Sequence, residues 1–223
     1  MQHTTSWREY WQRQVAPLHR KDADDFYARH AAELRALFDG VEPRSVLEIG
    51  CGTGALYTHL RFDTTAYHGV DFSDSMLGVF SSVHPDVSVS CADGSRYRDD
   101  RQYDLIFSNG VVQYFDRSML ARHFENVRAM MHPGSLLVCA SIPWRLQRTN
   151  FLAGELTPPY KRNRVQVVRS RVAGAIGRKD PLGHWYDLSD IDELGRACGL
   201  AADFFGSVSY LYRFHAVLRV AAS

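Results

Sequence analysis

At 223 residues, with 45% apolar and 23% charged side chains, the chain is long enough to bury one substantial core and too apolar to be mainly disordered. No stretch approaches the run of about 20 apolar residues that a membrane-spanning helix needs. The net charge of +1 excludes a strong overall bias toward acidic or basic partners, yet it hides a local excess. Between Trp144 and Lys179 nine Lys or Arg stand against one acid, Glu155.

The opening segment, residues 6–38, carries Trp7, Trp11, Val15, Phe26, Tyr27, Leu34, Leu37 and Phe38 at helical spacing, and Pro17 predicts a break between two helices. The residues Met1 to Trp7 lack the basic-then-apolar plan of a secretory signal, which predicts a cytoplasmic location. From residue 45 the pattern changes to short β-rich runs alternating with amphipathic segments. Strands are predicted at Ser45–Gly50, Tyr67–Asp71, Val87–Cys91, Tyr103–Asn109 and Ser135–Ile142. Ser73 and Asp116 are placed to cap helices over 74–82 and 117–131, and Ser189 with Asp192 predicts a capping box for a helix over 190–198 that stops at Gly199. Two further runs, Leu200–Gly206 and Tyr210–Val220, end the chain. Such alternation predicts a parallel sheet with helices on both faces. Cys51, Cys91, Cys139 and Cys198 are far apart and form no C-x-x-C pair, so buried reduced thiols are expected and a metal site is not.

The segment Val46-Leu47-Glu48-Ile49-Gly50-Cys51-Gly52-Thr53-Gly54 runs an apolar strand straight into three alternating glycines and then a helix. Glycine serves where a chain turns tightly or where a ligand approaches the backbone more closely than a Cβ permits. By itself the segment fits a plain strand–helix turn or, with Gly50, Gly52, Ala55 and the downstream Asp71, a dinucleotide site. Three more segments follow in order: Gly69-Val70-Asp71-Phe72-Ser73, Cys91-Ala92-Asp93-Gly94 and Tyr103-Asp104-Leu105-Ile106-Phe107-Ser108-Asn109.

In that combination the chain resembles the class I S-adenosylmethionine-dependent methyltransferases of small molecules, closely over residues 45–142 and more loosely over 184–220. The resemblance implies a Rossmann-like doubly wound α/β fold, a seven-stranded, mostly parallel sheet with an antiparallel last strand and helices on both faces. It divides a single domain, 1–223, into an N-terminal helical lid (1–40), a cofactor-binding core (41–142), a basic acceptor-binding insertion (143–183) and a closing helix with a β-hairpin (184–223). The implied cofactor is S-adenosyl-L-methionine, with S-adenosyl-L-homocysteine as product. Glu48 would orient the glycine loop and the amino-acid end, near Gly50, Cys51, Gly52 and Gly54. Asp71 would accept the ribose hydroxyls beside Phe72 and Met76, Asp93 would read the adenine beside Ala92 and Gly94, and Asn109 with Gly110 would underlie the methionine portion.

Relatives often carry a histidine after the fourth strand, where this chain has Val111-Val112-Gln113-Tyr114-Phe115. His184, in Gly183-His184-Trp185-Tyr186-Asp187, is therefore the candidate base, since an imidazole titrates near neutral pH, and Tyr114 and Gln113 are candidates for shaping the acceptor site. Tyr10, Trp11 and Tyr27 are candidates for closing over the methyl donor or for core packing. Within the insertion Val165, Val168, Val172, Ala175 and Ile176 share a helical face flanked by Lys161, Arg162, Arg164, Arg169 and Arg171. This basic helix reads as a solvated lid, as a binder of an anionic acceptor, or as a peripheral membrane contact through 160–179. No nucleic-acid motif accompanies it. Thr157-Pro158-Pro159-Tyr160 mimics a motif of base-directed methyltransferases but lies far from the fourth strand. The expected activity is methylation of a small acceptor, anionic or a glycan or natural-product precursor, at oxygen ahead of nitrogen. A nicotinamide-dependent oxidoreductase and a non-catalytic S-adenosylmethionine-binding regulator are the alternatives.

Overall fold

A computed structural model of the protein describes residues 21–38, 41–156 and 182–221. Helix α1 (Lys21–Leu37) leads into β1 (Val46–Ile49), α2 (Ala55–Leu60), β2 (Tyr67–Asp71), α3 (Asp74–Val83) and β3 (Ser88–Cys91). Then follow β4 (Tyr103–Asn109), a 3₁₀ turn (Val112–Tyr114), α4 (Arg117–Ala129), β5 (Met131–Pro143), α5 (Arg148–Ala153), α6 (Leu188–Ala197), β6 (Leu200–Gly206) and β7 (Arg213–Val220). The seven strands form one sheet in the order β3-β2-β1-β4-β5-β7-β6, and β7 runs antiparallel to both its neighbours. This is the predicted architecture, with the closing hairpin inserted so that β7 rather than β6 meets β5.

Strand geometry explains the two-sided core. Successive side chains point to opposite faces, so Ile106 and Leu218 join one cluster with Phe124, Ile191 and Leu137, while Leu105, Phe107 and Val217 join the other with Leu34, Phe80 and Val138. Helices cover both faces, and the central strands β1 and β4 are accordingly buried along most of their length. Helix α1 belongs to this core. Leu34 and, just beyond the helix, Phe38 are buried, at roughly 1.5–3 kcal/mol each, which anchors α1 to the sheet.

Several boundaries differ from the sequence reading. The box that starts α6 is Asp187 with Asp190, two residues upstream of Ser189 and Asp192; both pairs have the three-residue spacing, and the bridge between Trp144 and Tyr186 fixes which one starts the helix. Strand β5 begins at Met131, and its register with β7 shifts between Cys139 and Ile142. Of the four thiols Cys51 and Cys139 are buried, but Cys91 is exposed at the sheet edge and Cys198 is only half-buried. Tyr10, Trp11, Thr157 to Tyr160 and the basic helix over 160–179 lie outside the described residues. No described helix is long and apolar enough to cross a membrane.

Candidate functional site

The order reverses between β1 and β4, and the crevice beyond the carboxyl ends of such neighbouring strands is where open α/β sheets bind ligands. A cavity of about 520 Å³ opens there. The turn after β1 forms its floor. Gly50 has φ +82°, and a Cβ on it would stand 2.2 Å from Val111 Cγ2, so glycine is required both for the turn and for the approach of the β4 end.

Glu48, Gly50, Cys51, Gly52, Asp71, Phe72, Met76, Ala92, Asp93, Gly94, Asn109 and Gly110 all line this cavity. Gly54 does not: it starts α2 at φ +80°, with Phe80 Cδ2 2.8 Å from where a Cβ would stand, so it serves the turn and its packing. Asp71 is buried at the end of β2, its Oδ2 accepting from the Gly52 amide (3.0 Å) and its Oδ1 from the Ser73 amide (2.9 Å). Each carboxylate oxygen has a second lone pair, so both keep capacity for a further donor. Burial pushes this carboxyl up, against the amides of Ser73, Gly52 and Phe72, which pull it down.

Glu48 is buried beneath the turn and accepts from the Tyr67 hydroxyl at 2.5 Å. Burial pushes its carboxyl up to about 8, the Tyr67 hydrogen bond opposing and the nearby Asp71 adding to the rise. At neutral pH it is therefore largely protonated. Asp93 holds its own turn, Oδ1 accepting from the Ser95 amide (3.0 Å) and hydroxyl (2.7 Å). His123 braces that turn from α4, bonding the Gly94 carbonyl through Nδ1 at 2.9 Å; burial lowers its imidazole to about 4.

The other end of the cavity is formed by Tyr27, Gln113, Tyr114, Ser141, Tyr210 and Arg213. A buried polar network fixes it. Glu33 Oε1 pairs with His215 Nε2 (3.0 Å) and takes the Val208 amide (2.6 Å), while Oε2 takes Ser209 and pairs with His30 Nδ1 (3.1 Å). His30 Nε2 then bonds Asn109 Oδ1 at 2.9 Å, and the Ser141 amide donates to His215 Nδ1 at 3.2 Å. Burial raises Glu33, but hydrogen bonds from His215, His30, Ser209 and Val208 outweigh it and hold the carboxylate far below its ordinary range.

His184, the candidate base, does not line the cavity. Its side chain is exposed, and its amide donates to the Gln113 carbonyl at 2.7 Å, so the segment buttresses the 3₁₀ turn instead. Tyr114 does line it. Sequence reasoning missed Ser141, Tyr210, Arg213 and the network behind them. The one available signal was His30 and Glu33, polar residues a turn apart among the buried positions of α1.

A family model described as a methyltransferase domain matches residues 46–134. The chain is 29% identical over 175 residues to a trans-aconitate 2-methyltransferase of Methylobacterium radiotolerans, covering 74% of this chain and 63% of that protein. It is 40% identical over 76 residues to a malonyl-[acyl-carrier protein] O-methyltransferase of Priestia megaterium, covering 32% of this chain and 28% of that one. The chain thus spans less than two thirds of the length of these curated relatives. Among solved structures, Streptomyces venezuelae DesVI superposes with a TM-score of 0.64 at 15% identity, over 93% of this chain and all of that one. The magnesium protoporphyrin IX methyltransferase of Synechocystis with bound SAH superposes at 0.61, also 15% identical, over 96% and 93%. These likenesses share the fold described above.

Proposed function

We propose that the chain, whose residues 46–134 match a methyltransferase-domain model and whose fold is that of class I methyltransferases, transfers the methyl group of S-adenosylmethionine to an oxygen of a small acceptor. The observation that carries the reading is a single cavity running from the glycine turn and Asp71, through Asn109, to a second polar end at Ser141, Tyr210 and Arg213. One end suits a cofactor and the other an acceptor.

The residues present fit the cofactor. Asp71, its oxygens oriented by the Gly52 and Ser73 amides, would hold the ribose hydroxyls, with Phe72 and Met76 as walls. The turn at Ala92, Asp93 and Gly94 would hold the adenine, Glu48 with Gly50 and Cys51 the amino-acid end, and Asn109 with Gly110 the methionine portion. When bound, S-adenosylmethionine supplies a methyl group already activated on a sulfonium. The protein's task is then to orient the nucleophile and exclude water, and such positioning contributes about 7–11 kcal/mol of a barrier.

Among the described residues that line the cavity there is no histidine, and the only carboxyls are Glu48, Asp71 and Asp93, all at the cofactor end. This supports an acceptor oxygen that is ionised before it binds, for which no base is required. The names of the relatives, a trans-aconitate 2-methyltransferase and a malonyl-[acyl-carrier protein] O-methyltransferase, support the same reading.

Calorimetric titration with S-adenosylhomocysteine and, separately, with NADH tests the cofactor: micromolar binding of the first is expected, and binding of NADH alone overturns the reading. Incubation with radiolabelled methyl donor and trans-aconitate tests the atom methylated. Label released as methanol by mild alkali marks an ester, whereas label that is incorporated but stable to alkali refutes a carboxylate oxygen as the nucleophile.

A further inference from the structure

Arg213 opens β7 on the wall of the cavity, and only 8% of its surface is exposed. A buried guanidinium is costly unless its charge is met. Among the described residues it forms no ion pair with a carboxylate. Glu33, the buried acid of this region, is already held by His30, His215, Ser209 and the Val208 amide. What Arg213 does have is weaker: Nη1 donates to the Ser141 carbonyl, and Cζ stands 5.2 Å and 5.3 Å from the ring centres of Tyr210 and Tyr212. Nε is buried with no partner.

A second donor faces the same place. A Cβ on Gly110 would lie 3.9 Å from Arg213 Nη1 and 4.0 Å from Gln113 Nε2, so both side chains converge on the strand end beside Asn109. The carbonyl that holds Arg213 belongs to Ser141, a non-glycine residue at φ +57° within the β5 irregularity. Such strain persists only where the surroundings impose it, and here the Ser141 amide is held by His215. The network thus fixes the residue that aims the guanidinium.

We propose that Arg213, with Gln113 beside it, is the anchor for a carboxylate of the acceptor, so that the substrate is a small carboxylic acid carrying this group in addition to the oxygen that is methylated. This rests on the methyltransferase reading and adds the acceptor's chemical class. The anchored carboxylate is not the reacting one. An oxygen that receives the methyl group loses its negative charge, so a guanidinium paired to it would hold the ground state more tightly than the transition state. One cation beside a neutral amide matches the single charge of a carboxylate better than a phosphate dianion, and the planar fork matches its geometry.

The test is calorimetry on the full chain saturated with S-adenosylhomocysteine. The probes are malonate, glutarate, citrate and trans-aconitate, with the corresponding amides and inorganic phosphate as controls. At least one carboxylate is expected to bind with submillimolar affinity, its amide not, with Arg213→Met weakening binding at least tenfold and Gln113→Leu several-fold. Both variants should keep the S-adenosylhomocysteine affinity of the parent within about twofold, which also certifies their fold. Binding of phosphate ahead of every carboxylate, of amides as well as acids, or of none of the probes overturns the proposal, as does carboxylate binding that survives in Arg213→Met. Should Arg213→Met fail to fold, Gln113→Leu decides by the same criteria. Failure of the parent to bind S-adenosylhomocysteine would instead refute the methyltransferase reading itself.

Discussion

Two buried carboxyls below the glycine turn divide the labour of one site. Asp71 has amides aimed at it and keeps room for further donors, whereas Glu48 has a tyrosine hydroxyl and a large burial cost. Asp71→Ala is expected to weaken S-adenosylhomocysteine binding by about 2–3 kcal/mol, roughly 30–150-fold, read by calorimetry. Asp71→Asn, which retains an acceptor oxygen, should lose less. For Glu48 the sign follows from its raised value. Between its ordinary 4.5 and about 8 the folded state binds more protons than the unfolded one, so stability falls as pH rises through that window. Glu48→Gln does not titrate, and its stability relative to the parent should improve by about 1–3 kcal/mol from pH 5 to pH 8 in urea denaturation. A parallel pH course for the two proteins would contradict the buried, protonated Glu48.

At the scale of elements, α1 is fastened to the sheet by a network rather than by packing alone. Glu33 joins α1 to the Val208–Ser209 turn and to β7, and His30 joins it to the end of β4. Glu33→Ala leaves two buried histidines, the Val208 and Ser209 amides and the Ser209 hydroxyl without their acceptor, and a loss of about 2–4 kcal/mol at pH 7 is expected by denaturant titration. Because the Glu33 carboxyl is depressed, this contribution is present above the ordinary carboxylate value and fades as pH falls below it, so the gap between variant and parent should narrow toward pH 3. In β5 the irregularity places Ser141 in left-handed backbone, which costs a residue with a Cβ about 1–2 kcal/mol. Ser141→Gly should therefore be as stable as the parent or up to about 1 kcal/mol more stable, and Ser141→Val less stable by a similar amount. A destabilised glycine variant would show that the Ser141 hydroxyl, 3.4 Å from His30 Nε2, matters more than the backbone.

Over the whole molecule, the antiparallel β7 holds the sheet together, buried between β5 and β6 with Leu218 fully enclosed. Leu218→Ala is expected to cost about 2–5 kcal/mol and to shift the far-ultraviolet and tryptophan-fluorescence transitions together, since its cluster spans β1, β4, β5 and the two helices α4 and α6. Separate transitions would mean that the closing hairpin unfolds as its own unit. The charge asymmetry also acquires structure at this scale. Arg145, one of the nine basic residues between Trp144 and Lys179, pairs with Asp187 (2.8 Å) and Asp190 (2.7 Å) at the start of α6. These pairs are half-exposed and contribute little energy.

The strands Tyr67–Asp71, Tyr103–Asn109 and Leu200–Gly206, the Ser73 and Asp116 caps and the residues that line the cavity at the glycine turn were legible in the chain itself. Periodicity, capping and the glycine turn are local: their signals lie within a few residues of what they specify. The alternating apolar runs likewise determined a parallel sheet with two covered faces. Tertiary structure alone decided which of two acidic pairs starts α6, that β7 inserts between β5 and β6, and that His30, Glu33, Asn109, Ser141, Arg213 and His215 meet. Those six residues lie between positions 30 and 215 of the chain. Beyond the helical spacing of His30 and Glu33 and the strand end at Asn109, nothing local marks them as neighbours, because the polar end of the cavity exists only where the sheet order brings α1 and β7 to the ends of β4 and β5.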